Sequence, residues 1–259
     1  MKFYVVWQGR KTGIFTDWNT CSRHVKGFAG ARYKSFKTRL EAETAFQGGS
    51  SAPGEAAGDK PATLSGTRIK STVHKVKTYT AAEVAGLVVD TKIFTDGGCD
   101  PNPGKAGSGI AVYRDGVVSE LWYGLFNPMG TNNTAELNAL HQALIMAKDD
   151  IGKGKTTAIF CDSQYSIQCI TTWAVGWEKK GWKKKTGEIK NLELIKEMYA
   201  LYLMVKGDVQ ILHVNGHVGV EGNELADRMS ILAIAARDVD FTLYREELDI
   251  EAILALRAG

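Results

Sequence analysis

The sequence predicts an α/β protein: a mixed five-stranded sheet flanked by helices, preceded by a small separate module. Three observations predict it. From residue 92 onward three strand-like runs follow one another before any helical run, which starts the sheet as an antiparallel meander. After residue 131 helical and strand-like periodicities alternate, as in sheets carrying helices on their faces. Residues 47–66 (QGGSSAPGEAAGDKPATLSG) replace aromatic and β-branched residues with Gly, Ala, Ser and Pro, a composition that buries too little apolar surface to offset its ordering entropy. At 259 residues, 44% of them hydrophobic, the chain is long enough for one full core and a smaller module.

Taken in order, residues 1–48 hold nine Lys or Arg against three acids, a net +6 that leaves −3 for the remainder. A positive field concentrated at one end points to a polyanionic partner there. Residues 49–90 read as a linker, although TAAEV at 80–84 has the capping-box pattern of a short helix. The strands KIFTD, GSGIAVYR and VVSELWYGLF follow, with Asp115-Gly116 as a hairpin signal between the second and third. TNNTAELNALHQALIMAKDD spaces Leu137, Leu140, His141, Leu144 and Ile145 on one helical face, and Asn132, Asn133 and Thr134 are available to cap it. TTAIFCD is a buried-type strand; helices at 163–175 and 189–205, the strand VQILHV and a helix at 221–236 complete the pattern. Residues 237–259 have helical spacing at Leu248, Ile250, Ile253, Leu254 and Leu256; packing back on the sheet and self-association both fit.

Cys21, Cys99, Cys161 and Cys169 form no CxxC pair, and the N-terminus lacks a signal-like apolar core. A reducing, cytoplasmic setting is the expectation. No apolar run reaches the roughly 18 residues of a spanning helix, so no membrane partner is expected.

Four acids carry the chemistry. Asp96, Glu136, Asp162 and Asp227 each sit where a strand ends or a helix begins, the places from which side chains converge. Converging carboxylates repel one another unless divalent cations neutralise them, and an all-oxygen set suits a hard cation. The run DGGCDPNPGKAGSG resembles a phosphate-cradling loop only superficially, because no helix follows it. Among the five histidines only His217 lies in a glycine-rich loop, NGHVGVEGN. The segment WAVGWEKKGWKKKTGEIK (173–190) interleaves six Lys with three Trp, a pattern suited to gripping phosphates without reading sequence.

TDGGCDPNPG, TNNTAEL, CDSQYSIQ, GWEKKGWKKK and GHVGVEGNELAD resemble, in order, the motifs of type 1 ribonuclease H, over roughly residues 91–236. That resemblance implies a ribonuclease H-like sheet and endonucleolytic cleavage of the RNA strand of RNA/DNA hybrids. It also implies two Mg²⁺ ions, with Mn²⁺ as a substitute, on Asp96, Glu136, Asp162 and Asp227, and 3′-hydroxyl and 5′-phosphate products. His217 becomes a proton-transfer or product-release group. Asn102, Asn133 and Gln164, beside Asn132, become readers of the RNA strand, Thr131 a holder of a DNA phosphate. Trp177, Lys180, Trp182 and Lys183 fall in the basic protrusion that grips the DNA strand.

A second resemblance covers residues 1–48. FYVVWQGRKTGIF, DWNTC, VKGFAGARYKSFKT and EAETAF are similar to the small α+β hybrid-binding domain at the N-terminus of many ribonucleases H. It implies contacts from Tyr4, Trp18, Arg32, Tyr33, Lys34 and Phe36 to RNA/DNA hybrid, and extends to double-stranded RNA. Ser35 stands where family members often place a second Lys, which implies a lower affinity. A linker of about 40 flexible residues spans roughly 35 Å, so both modules reach one hybrid, and a monomer suffices. The competing class, a non-catalytic hybrid-binding protein with a vestigial nuclease fold, is disfavoured by the complete acid set.

Overall fold

The computed structural model describes residues 3–26, 28, 30–36, 39, 42, 46, 76–216, 219–256 and 258. The chain divides into two compact units, residues 1–70 and 71–259.

In the first unit β1 (Phe3–Gln8) lies between β2 (Gly13–Phe15) and β3 (Arg32–Phe36), both antiparallel to it. Helix α1 (Trp18–Val25) starts where the Asp17 side chain accepts the Thr20 amide, satisfying one of the first-turn donors. Val6, Cys21 and Val25 are buried together between strand and helix, with Tyr4 and Phe15 packed against them. This is the small α+β module expected of residues 1–48.

The second unit is built on a seven-stranded mixed sheet. Its strands are β4 (Thr78–Tyr79), β5 (Thr91–Asp100), β6 (Gly104–Arg114), β7 (Val117–Gly130), β8 (Thr157–Cys161), β9 (Val209–Val214) and β10 (Phe241–Leu243), in the spatial order β10-β7-β6-β5-β8-β9-β4. β5, β6 and β7 pair antiparallel; β8 and β9 continue in parallel. The β6–β7 turn forms at Asp115 (φ 51°) and Gly116 (φ 80°), the left-handed pair that an Asp-Gly hairpin needs. Consecutive apolar residues in the central strands face opposite ways, because both sheet faces are covered. Ile93, Ile110 and Ile159 meet Leu137, Leu140 and Leu144 of α3 (Asn132–Gly152) and Ile195 and Met198 of α6 (Leu192–Val205). Phe94, Ala111 and Phe160 meet Leu225 and Met229 of α7 (Glu221–Ala236) on the other face. Between α3 and α6 a continuous helical stretch runs through α4 (Gln164–Gln168), a π-turn (Cys169–Trp173) and α5 (Ala174–Glu178).

The five expected strands form the centre, and two short strands extend the edges. The linker expected over residues 49–90 is corrected in its last part. Residues 47–75 lie outside the described residues, but 78–90 are folded: β4 pairs parallel with β9, and α2 (Ala81–Gly86) carries a complete capping box between Thr80 and Glu83. Lys92 Nζ then donates to the carbonyls of Val84 and Ala85 at 2.7 and 3.2 Å. The segment after residue 236 packs back on the sheet. β10 pairs with β7, Phe241 stacks on Trp122 at 5.6 Å, and Ile253 of α8 (Ile250–Leu254) is buried against the α7 side.

Candidate active site

Strand register sets two of the four acids side by side. Thr95 of β5 pairs in parallel with Cys161 of β8, so the next residues, Asp96 and Asp162, lie at the same level. Asp162 follows the end of β8, whereas Asp96, expected at a strand end, lies inside β5, which runs on to Asp100 paired with β6. Glu136 comes from the start of α3, where the Thr131 hydroxyl accepts the Thr134 amide and Ser108 Oγ donates to the Ala135 carbonyl at 2.8 Å. Asp227 comes from α7. Two glycines let these helices approach: a Cβ on Gly97 would run into the backbone of Ala135 and Glu136, and one on Gly109 into the backbone of Ala226 and Ser230. Asp96, Glu136, Asp162 and Asp227 consequently line one cleft of about 750 Å³, together with Cys99, Asp100, Lys105 and Asn132.

The cleft is electrostatically poised for cations. Burial, with the neighbouring Asp162 charge, pushes the Asp96 carboxyl up to about 7, against a hydrogen bond from Ser230 that opposes the shift. Burial, then the charges of Asp96 and Asp162, raises the Glu136 carboxyl well above its ordinary range. Glu136 is 5% exposed, and its Oε2 has no hydrogen-bond partner. A buried oxygen without a partner, set among other carboxylates, is chemically incomplete without a positive ligand. The residues therefore fit divalent cations of the oxygen-preferring kind.

Four supporting side chains went unnoticed in the sequence. Ser230 Oγ donates to Asp96 Oδ2, and Asn223 Nδ2 donates to Asp162 Oδ2 at 3.2 Å. His213, buried, places Nε2 3.0 Å from the Asp162 carbonyl and Nδ1 2.8 Å from Thr78 Oγ1. Arg228 Nη1 pairs with Asp227 Oδ2, while Nη2 donates to the Leu254 carbonyl at 3.2 Å. A signal existed for two of them: Asn223 and Ser230 lie four before and three after Asp227, on the same helical face.

Among the residues expected to touch substrate, Asn133 and Gln164 are exposed at the first turns of α3 and α4. Asn102 Oδ1 accepts the Asn132 amide at 3.3 Å, and Thr131 is the α3 cap. Trp177 and Trp182 are partly buried against the α3–α6 core, Trp182 edge-on to Tyr199, and so anchor the segment that carries the exposed Lys180 and Lys183. His217 lies outside the described residues. In the first unit Trp18 sits between Tyr4 and Tyr33, ring centroids 5.4 and 5.7 Å away, with Trp18 and Tyr33 nearly half exposed. Strand alternation puts Lys34 and Phe36 on the other face of β3 from Tyr33, with the Lys34 ammonium 5.7 Å from the Phe36 ring; Arg32 is exposed.

A mixed sheet that delivers four acids, from two adjacent strands and two flanking helices, to one cleft defines a nuclease of the ribonuclease H-like fold. The chain belongs to the ribonuclease H family: residues 89–234 match the family described as RNase H, and residues 2–46 match the Ribonuclease H1 N-terminal domain. It is 34% identical to Ribonuclease H1 of Rattus norvegicus and 34% identical to that of Homo sapiens, in each case over 88% of this chain and 87% of the relative. Among solved structures it is similar to LC9-RNase H1, described as a type 1 RNase H with the type 2 active-site motif, at 25% identity and a TM-score of 0.51, covering 64% of this chain and 81% of that one. The protein is thus a ribonuclease H, an enzyme acting on RNA/DNA hybrids, with a hybrid-binding module at its N-terminus.

Proposed function

We propose that Asp96, Glu136, Asp162 and Asp227 hold two Mg²⁺ ions, and that the enzyme cuts the RNA strand internally to leave 3′-hydroxyl and 5′-phosphate ends. One observation carries this reading: the four carboxylates line a single cleft in which a buried Glu136 oxygen has no protein partner. Such ions, when bound, activate the attacking water and stabilise the leaving 3′ oxygen. An oxygen-only ligand set accepts Mn²⁺ as a substitute.

The chain's own residues do the rest. Ser230, Asn223 and the His213 contact to the Asp162 carbonyl hold the carboxylates in place. His217 serves in proton transfer or in product release. Asn102, Asn132, Asn133 and Gln164 present amide groups to 2′-hydroxyls, which distinguish the RNA strand across a wide minor groove. Thr131 holds a DNA phosphate, and Lys180 and Lys183, on the platform of Trp177 and Trp182, grip the DNA strand.

In the first unit, Tyr4, Trp18 and Tyr33, which cluster on one face, pack on sugars while Arg32 and Lys34 meet the RNA strand, with double-stranded RNA as a second ligand; Phe36, expected to join them, lies on the other face of β3. Tethering makes the second contact intramolecular, so processivity is the gain. The enzyme works as a monomer in the cytoplasm.

Replacing Asp162 by Asn tests the mechanism: hybrid binding is retained and Mg²⁺-supported turnover is lost. Cleavage at the wild-type rate by that variant rejects the ion assignment. Digestion of strand-labelled RNA/DNA, RNA/RNA and DNA/DNA duplexes, with product ends analysed, tests strand choice and end chemistry.

A further inference from the structure

We infer that Cys161, Glu136 and Asp162 form a binding site for a thiophilic divalent cation, such as Cd²⁺ or Zn²⁺, whose occupation denies the carboxylates to oxygen-preferring ions. Cys161 is the last residue of β8, fully buried. Its Sγ and one carboxylate oxygen each of Glu136 and Asp162 all lie within 4.8 Å of one another. A second observation points to a ligand there: Glu136 is 5% exposed and its Oε2 is buried without a hydrogen-bond partner.

The donor set decides the ion. A tetrahedral cation with bonds of about 2.0–2.3 Å needs donors roughly 3.5 Å apart, so small side-chain movements close the site; two of its three donors, Glu136 and Asp162, line the cleft. Sulfur adds little for Mg²⁺ but much for a softer cation. Binding forms a metal–sulfur bond and breaks the S–H bond, the proton leaving to solvent.

The other cysteines are placed differently. Cys21 belongs to the first unit and Cys169 to the α3–α6 core. Cys99 lines the same cleft but lies outside the cluster, directing its Sγ at the Pro101 and Gly130 carbonyls at 3.3 and 3.7 Å. The inhibitory consequence rests on the proposed role of Glu136 and Asp162 as Mg²⁺ ligands; the binding itself does not.

The test is a titration of the full chain with Cd²⁺ alone, read by the ultraviolet charge-transfer absorption of a cadmium–thiolate bond. Wild type and Cys99→Ser develop the band, saturating at about one ion per chain, whereas Cys161→Ser and Cys161→Thr, folded by circular dichroism, do not. In Mg²⁺-supported hybrid cleavage, Cd²⁺ inhibits wild type at concentrations about tenfold or more below those needed for Cys161→Ser. Absence of the band in wild type, or its persistence in both Cys161 variants, overturns the site. A Cys161-dependent band in an enzyme that cleaves without any Mg²⁺ dependence overturns the proposed function and leaves the site standing.

Discussion

Ser230 Oγ lies 2.8 Å from Asp96 Oδ2, so a hydroxyl on α7 holds a carboxylate on β5 across the wall of the acidic cleft. The same oxygen is 2.9 Å from the Asp227 carbonyl of its own helix. A hydroxyl has one proton, so Ser230 serves Asp96 when that carboxylate is ionised and the backbone otherwise. One small residue thereby links the charge state of the first acid to the helix that carries the fourth.

Removing that donor gives a directional result. A hydrogen bond to an ionised group is worth roughly 1.5–3 kcal/mol, and this one favours the ionised form of Asp96. Ser230→Ala therefore raises the Asp96 carboxyl above its value of about 7. Calorimetric titration with Mg²⁺ should show affinity about tenfold weaker near neutral pH, with the deficit shrinking by about pH 9, where both proteins are ionised. A deficit that stays constant with pH contradicts the role.

Asp96 also makes the metal-free protein pH-dependent in an uncommon direction. Its folded-state value of about 7 lies above the ordinary 3.8, so folding favours the proton. The associated stability is fully present below the ordinary value and is lost as pH rises through about 7. In chelator, thermal unfolding should show wild type weakening between about pH 4 and 7, while Asp96→Asn is more stable at neutral pH by on the order of 2 kcal/mol. Saturating Mg²⁺ should stabilise wild type and leave Asp96→Asn largely unmoved.

What could be read from the chain, and what could not, follows from length scale. The central strands are long enough for periodicity to show, and Asp115-Gly116 is a local turn signal with positive φ at both residues. The acids were legible because each belongs to an ordered motif. β4 and β10 have two and three residues, too few to display a period. They exist because β9 and β7 offer unpaired edges, a tertiary circumstance. His213 belongs to no motif in the sequence, and it is buried. Its link from Thr78 to the Asp162 carbonyl depends on β4 being paired with β9, which no local pattern announces.

Gly97 tests how close α3 must come. Its strand position is ordinary, but a methyl there meets the amide nitrogen of Glu136 and the carbonyl carbon of Ala135, which are backbone atoms and cannot rotate away. Gly97→Ala should displace the start of α3, costing about 2–4 kcal/mol of stability. Cleavage should fall by more than 100-fold, because an ångström of misplacement is enough to do so. Melting temperature and single-turnover cleavage at saturating hybrid check both parts.

The extension after residue 236 should behave as part of the catalytic unit. Phe241 stacks on Trp122, and the amides of Leu125 and Phe126 donate to the carbonyls of Asp240 and Asp238. Phe241→Ala should cost about 3 kcal/mol by unfolding in denaturant, without changing the Mg²⁺ dependence of cleavage. An effect below about 0.5 kcal/mol would mean that the strand is held by its backbone alone.

Trp18 separates affinity from chemistry. It lies between Tyr4 and Tyr33 yet is 45% exposed, so it offers a broad apolar face to a ligand while its neighbours fix its orientation. An aromatic contact to a nucleotide is worth about 1–3 kcal/mol, and Asp96, Glu136, Asp162 and Asp227 all belong to the second unit. Trp18→Ala in the full chain should therefore weaken hybrid binding roughly 10-fold or more, as salt-dependent KM and shortened processive runs. The maximal rate at saturating hybrid should stay within about twofold of wild type, since uniform binding is lost and the reacting centre is untouched. Trp18→Phe, which keeps a ring between the two tyrosines, should recover most of the affinity. If Trp18→Ala lowers kcat and KM together, or if Trp18→Phe fails to rescue, the ring is a core element of its module and the nucleic-acid contact lies elsewhere.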